Sequence, residues 1–205
     1  PTHVVAPGGI SGGRPLAELA RQPVFIVAVA AAALGYGVMN LLMAATPIAM
    51  QQCQHPFESA ALVLEWHVLG MFVPSFFTGN LIQRFGALRI MSVGALLNLG
   101  CVAVALSGVD LMQFLVALTL LGVGWNFLYT GGSSLLTQTY APEEKTRAQG
   151  AMDSAVFWTM ALTSFASGAL ITTQGWTWLN LGSLLPIAMV LAALAWVGAR
   201  RKLAR

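Results

Sequence analysis

Every Lys and Arg of this chain falls in a connection between long apolar runs, and only in alternate connections. Arg14 and Arg21 precede the first run. Arg84 and Arg89 separate the second from the third, Lys145 and Arg147 the fourth from the fifth, and Arg200, Arg201, Lys202 and Arg205 follow the sixth. The other three connections hold no basic residue. Short basic loops stay on the cytoplasmic side during insertion, so this alternation sets both the number of crossings and their direction. Six spans with both ends inside is the simple solution, and it predicts a multi-pass membrane protein surrounded by membrane lipids.

Charged residues make up only 8% of the chain, against roughly 25% in soluble domains, which agrees with this reading. The net charge of +3 is spread over four separate segments, so it reports topology, not a phosphate-tracking surface, and nucleic acid is excluded as a partner. Cys53 lies outside the spans and Cys101 within one, so no disulfide is expected, and no zinc spacing is present. The chain starts at Pro1 without a recognisable signal peptide, which reads as the C-terminal part of a longer polypeptide.

The domain reading is a cytoplasmic linker over 1–22, a six-helix bundle over 23–199 and a basic cytoplasmic tail over 200–205. PGGISGGRP is a flexible connector, and 15–22 has the pattern of a short interfacial helix. The spans are placed at about 23–50, 60–82, 88–106, 111–137, 148–173 and 176–197. Backbone groups in lipid must bond within their own segment, so the fold class is all-α with no strand. The first span exceeds the roughly 20 residues a bilayer needs, and Pro47 marks its expected break.

An internal repeat relates the two halves. Ser75-Phe76-Phe77-Thr78-Gly79-Asn80-Leu81-Ile82 matches Ser164-Phe165-Ala166-Ser167-Gly168-Ala169-Leu170-Ile171 at five of eight positions, and Gly86 and Gly175 follow at the same distance. Gly35-Tyr36-Gly37 with Asn40, and Gly122-Val123-Gly124 with Asn126, form a weaker second match. A unit of three spans is odd, so its second copy crosses the membrane in the opposite sense. The charges agree: the turn after Gly79 is basic, and its counterpart after Gly168 carries Trp176 and Trp178. Inverted repeats of this kind are characteristic of secondary transporters.

With Gly79-x-Leu81-x-x-Arg84-x-Gly86-x-x-Arg89 in the turn between spans two and three, the chain resembles the C-terminal half of a major facilitator superfamily transporter. The stretch is similar to that superfamily's loop motif, G-x-L-x-D-R-x-G-R-R. Gln83 stands in place of the acid and Ala87 in place of one basic residue, which removes the acid of the ion pair attributed to this loop. The segments Trp66-His67-Val68-Leu69-Gly70-Met71 and Gly124-Trp125-Asn126-Phe127 resemble a bacterial branch, which implies the bacterial inner membrane. The resemblance implies secondary transport of a small-molecule substrate by alternating access, coupled by default to protons. It also implies an N-terminal six-helix half that this chain lacks. Gly79, Arg84, Gly86 and Arg89 would belong to gating, and spans one and four would line a central cavity.

Ionisable groups within spans cost roughly 2.5–3.5 kcal/mol on insertion scales, so each asks for a reason. Glu65 and His67 lie about one turn inside the outer end of span two, two residues and therefore about 160° apart, so they do not face one another. Either could titrate in proton coupling; reaching water at the interface or capping neighbouring backbone is the plainer reading. Asp153, near the cytoplasmic start of span five, is favoured by the helix dipole, with coupling or gating as the sharper alternative. On span four, Trp125 and Tyr129 are four apart and share a face, which suits a flat ligand, with Asn126 between them to orient a polar group. Asn40 and Thr46 do similar duty on span one. Interhelical packing and hydrogen bonding explain the same residues equally well. Gly122, Gly124, Gly131, Gly132 and Gly150 read as close-contact positions, and Glu143-Glu144-Lys145 as a solvated loop.

No phosphate-binding glycine loop, nucleophile elbow or paired carboxylates occur, so no cofactor is expected. The competing class is a six-span membrane enzyme or an assembly subunit. Such an enzyme should show clustered intramembrane His or acids, and the three His here are unpaired. Transport is the stronger reading, with a flat, uncharged solute favoured over a phosphate.

Overall fold

A computed structural model describes residues 13–203. The remaining linker and tail residues lie outside the described residues. The short helix α1 (Leu16–Leu19) leads into α2 (Pro23–Gln52), and α3 (Phe57–Phe72) and α4 (Ser75–Phe85) follow. Then come α5 (Ala87–Ser107), α6 (Leu111–Leu136), a 3-10 turn (Pro142–Glu144), α7 (Lys145–Thr173) and α8 (Gly175–Leu203), with no strand among the described residues. Five helices are long and apolar enough to cross a membrane, and α3 with α4 forms a sixth crossing bent by 41°.

The break expected at Pro47 is absent, and another occurs in span two. Span two is broken, because Pro74 has no amide hydrogen for the helical bond back to Gly70 and its ring crowds that carbonyl. Pro47 breaks nothing: α2 continues through it to Gln52, since Ala45, Ala49 and Met50 on both sides are buried in one apolar cluster that holds the helix together. The repeat gives an internal control for Pro74. Its counterpart, 89 positions on, is Thr163, and α7 runs through that point without interruption. Residues 200–203, placed in the tail, continue α8, which extends to Leu203.

The packing follows the repeat. Helices α2 and α6 lie against one another at the centre; α7 packs on α2 as α3 packs on α6, and α8 on α2 as α5 on α6. Exchanging the first three spans with the last three leaves this scheme unchanged. Small residues make the crossings close. A Cβ on Gly122 would sit 2.5 Å from the His67 carbonyl oxygen, and one on Gly70 2.8 Å from that of Thr119. Gly124, Gly131 and Gly132 are likewise confined, but Gly150 has open space where its Cβ would be and makes no close helix contact among the described residues.

The turns match too. Gly86 (φ 87°) and Gly175 (φ 80°) both adopt left-handed backbone that a side chain would strain, which explains the recurring glycine. At the outer end, His55 Nε2 donates to the Val109 carbonyl (2.7 Å) and Trp176 Nε1 to that of Ala105 (3.2 Å), joining spans one, three and six around their connections. At the basic end the Glu143–Lys145 stretch is not simply solvated. Glu144 is 2% exposed, because Arg14 of the linker grips its carboxylate at 2.8 Å and the Arg14 amide donates to it at 2.7 Å. Arg147 donates back to the Arg14 carbonyl (2.7 Å), so the end of the linker is strapped to the connection between spans four and five.

Candidate functional site

Asn126 and Trp125 are neighbours in sequence, so on α6 they point about 100° apart and into different surroundings. Asn126 is buried against the break in span two. Its Nδ2 donates to the Met71 carbonyl (2.8 Å) and to Ser75 Oγ (2.6 Å), while Thr78 Oγ1 donates to its Oδ1 (2.7 Å). The Met71 carbonyl lies at the bend, one residue after the Gly70 carbonyl that Pro74 leaves without a donor, and the Asn126 amide satisfies it there.

Asn40 repeats this on the other side of the pseudo-symmetry. Its Nδ2 lies 3.1 Å from the Met160 carbonyl, 2.9 Å from Ser164 Oγ and 3.0 Å from Thr163 Oγ1. Met71 and Met160, and Ser75 and Ser164, are both 89 residues apart, the spacing of the repeat. Each central helix therefore clamps its flanking helix by one asparagine, one carbonyl and one serine. The Asn–Ser correspondence was half visible as the repeated serine; its partner was hidden by a one-residue slip between the two G-x-G…Asn segments. Thr46 does not join in, since its hydroxyl bonds the Leu42 carbonyl of its own helix (2.7 Å).

Trp125 and Tyr129 face the other way. Their rings stack, 5.4 Å apart and 7° from parallel, and Tyr36 of α2 meets both edge-on at 5.4 and 5.9 Å. Because Trp125 is 8% exposed and covered by Tyr129, it backs the group, and the half-buried Tyr36 and Tyr129 form its accessible front. Tyr36 was not singled out beforehand, although it is four residues before Asn40 on the central helix. This front opens on a cavity of about 270 Å³ lined with Asp153, Val156, Phe157 and Met160 of α7. A second cavity of about 180 Å³ shares Tyr129 and Asp153 and continues past Ser133 and Gln149 towards the basic end. The cavities thus bring together Tyr129 and Asp153 from separate parts of the sequence.

The other named residues lie elsewhere. Glu65 is exposed on α3. His67 is fully buried: its Nδ1 donates to the backbone carbonyl of Leu118 (2.7 Å), and Nε2 has no partner among the described residues. Gly79 meets nothing within 4 Å on the exposed side of α4. Arg84 lies over the Phe85 ring, 5.2 Å from its centroid, Gly86 makes the turn beyond and Arg89 sits at the start of α5, away from the aromatic group. No cluster of His, Cys, Asp or Glu that could hold a metal occurs among the described residues.

A family model described as the Major Facilitator Superfamily matches residues 18–205. The riboflavin transporter RfnT of Brucella anthropi is 44% identical over 182 residues, covering 89% of this chain and 46% of that protein. Two Bacillus subtilis proteins described only as MFS-type transporters are also similar. YdeG is 34% identical, over 65% of this chain and 30% of its own length, and YddS 29%, over 78% and 37%. The chain spans less than half the length of these relatives.

Proposed function

From the premise that the chain belongs to the major facilitator superfamily, we propose that it forms the C-terminal half of a secondary transporter that carries a flat, uncharged heterocycle by alternating access. Riboflavin is the substrate to test first. The observation that carries this reading is the Tyr36–Trp125–Tyr129 group fronting a cavity. Stacked and edge-on rings give a rigid apolar wall on which a planar ring system can lie, with little entropy lost in ordering it. A relative 44% identical is named for riboflavin transport, which supports the same ligand class. Tyr129 and Tyr36 contact the ring system and Trp125 supports them. Asn40 and Asn126 hold the frame that places them.

In this reading Asp153 is the coupling group, ahead of Glu65 and His67, because it lines both cavities. Protonating it as the site changes sides would link solute movement to a proton. The basic end is cytoplasmic by the charge rule, so the cavities open inward.

The test is uptake of radiolabelled riboflavin by the full-length transporter in proteoliposomes with an imposed pH gradient. Saturable uptake is expected, and Asp153→Asn should abolish its response to the gradient. Absence of riboflavin binding and uptake in folded protein would reject the substrate. A gradient response retained in Asp153→Asn would reject the coupling role.

A further inference from the structure

On the far side of the bundle from the aromatic group, α5 and α8 enclose a groove of about 880 Å³ at the basic end. Arg84, Arg89 and Arg201 line it, no Asp or Glu does, and its wall is formed by Leu88, Leu191 and Leu194. We infer that this groove binds an anionic phospholipid, its phosphate held by the three arginines and an acyl chain laid along α8. The depth fits. Leu191 to Arg201 is ten residues, about 15 Å along a helix, and α8 reaches Arg201 about 39 Å from its outer start, beyond a hydrocarbon core of roughly 30 Å. The leucines therefore lie at acyl depth and Arg201 at headgroup depth. Gln83, where the loop motif has an acid, leaves Arg84 and Arg89 without a carboxylate in that motif. Arg201 Nη2 donates to the neutral Gln138 Oε1 (3.0 Å), and no acid lining the groove neutralises the three guanidinium groups. Guanidinium groups bind phosphate oxygens in bidentate fashion, so three of them around an apolar slot match one headgroup and its chain. A Cβ at Gly198 would meet nothing within 4 Å, so the groove is open there.

Native mass spectrometry of the full-length transporter released from nanodiscs tests this, with phosphatidylglycerol and phosphatidylcholine in equal amounts. Wild type should retain phosphatidylglycerol at least five-fold over phosphatidylcholine. The triple variant R84Q/R89Q/R201Q should lose that preference, and Gly198→Leu, which fills the slot but keeps every charge, should reduce it several-fold. Arg200→Gln, whose side chain lies over Trp196 outside the groove, should retain it. Each variant is first required to elute as folded protein; if the triple variant fails, Gly198→Leu and the single arginine variants carry the test. Undiminished retention in folded Gly198→Leu and in the arginine variants would overturn the assignment. So would binding of inorganic phosphate with no lipid retained, which would make the groove a site for a soluble anion.

Discussion

At the residue scale, the two sides of α6 do different work, although Trp125 and Asn126 are adjacent. Removing the Asn126 side chain strands the buried Met71 carbonyl, whereas Ser75 is exposed and the Thr78 hydroxyl keeps its bond to the Pro74 carbonyl (2.7 Å). Asn126→Ala should therefore lower stability by about 1–2 kcal/mol while affinity per folded molecule stays within two-fold of wild type. Tyr129 gives the opposite pattern. Tyr129→Ala should weaken riboflavin binding several-fold, and Tyr129→Phe much less, because the ring that lies against the ligand survives loss of the hydroxyl. Thermal unfolding alongside binding titrations separates the two. Loss of affinity without loss of stability in Asn126→Ala would return that amide to the binding face.

At the element scale, the repeated segments use their glycines in two distinct ways. Gly86 combines φ 87° with ψ 147°, a region almost closed to other residues, so Gly86→Ala should cost about 1–3 kcal/mol. Gly175→Ala should behave similarly, as its φ is 80°. By contrast, Gly79→Ala and Gly168→Ala add a methyl group to open space on a helix, and should stay within about 1 kcal/mol of wild type. Thermal denaturation of the four variants checks this; equal effects at all four positions would mean that backbone conformation is not what the turn glycines supply. The bend in span two belongs to the same scale. One proline at a position where the other repeat carries threonine makes one flanking crossing broken and the other continuous.

At the scale of the whole molecule, the orientation is open to a direct test. Single cysteines at Ser59 and Gln174 should react with an impermeant maleimide added to intact cells, and one at Glu143 should react only after permeabilisation. Glu143 suits this better than its neighbour, because it is exposed while Glu144 is buried by Arg14. Labelling of Glu143 in intact cells would invert the topology. The Arg14–Glu144 strap gives the linker a defined exit from the bundle.

The sequence by itself determined the number of crossings, their alternation and the inverted repeat, because burial in lipid and the retention of basic loops act on local composition and need no knowledge of neighbours. It also marked Trp125 and Tyr129, since a spacing of four on a helix is a local matter. Only the tertiary structure decided which side of α6 meets span two and which meets the cavity, and so separated Asn126 from Trp125. Hydrogen-bond partners such as Met71 and Asn126 are 55 residues apart, and no periodicity reports them. Pro47 and Pro74 make the same point: both remove one backbone bond, but whether the helix bends depends on what packs on either side.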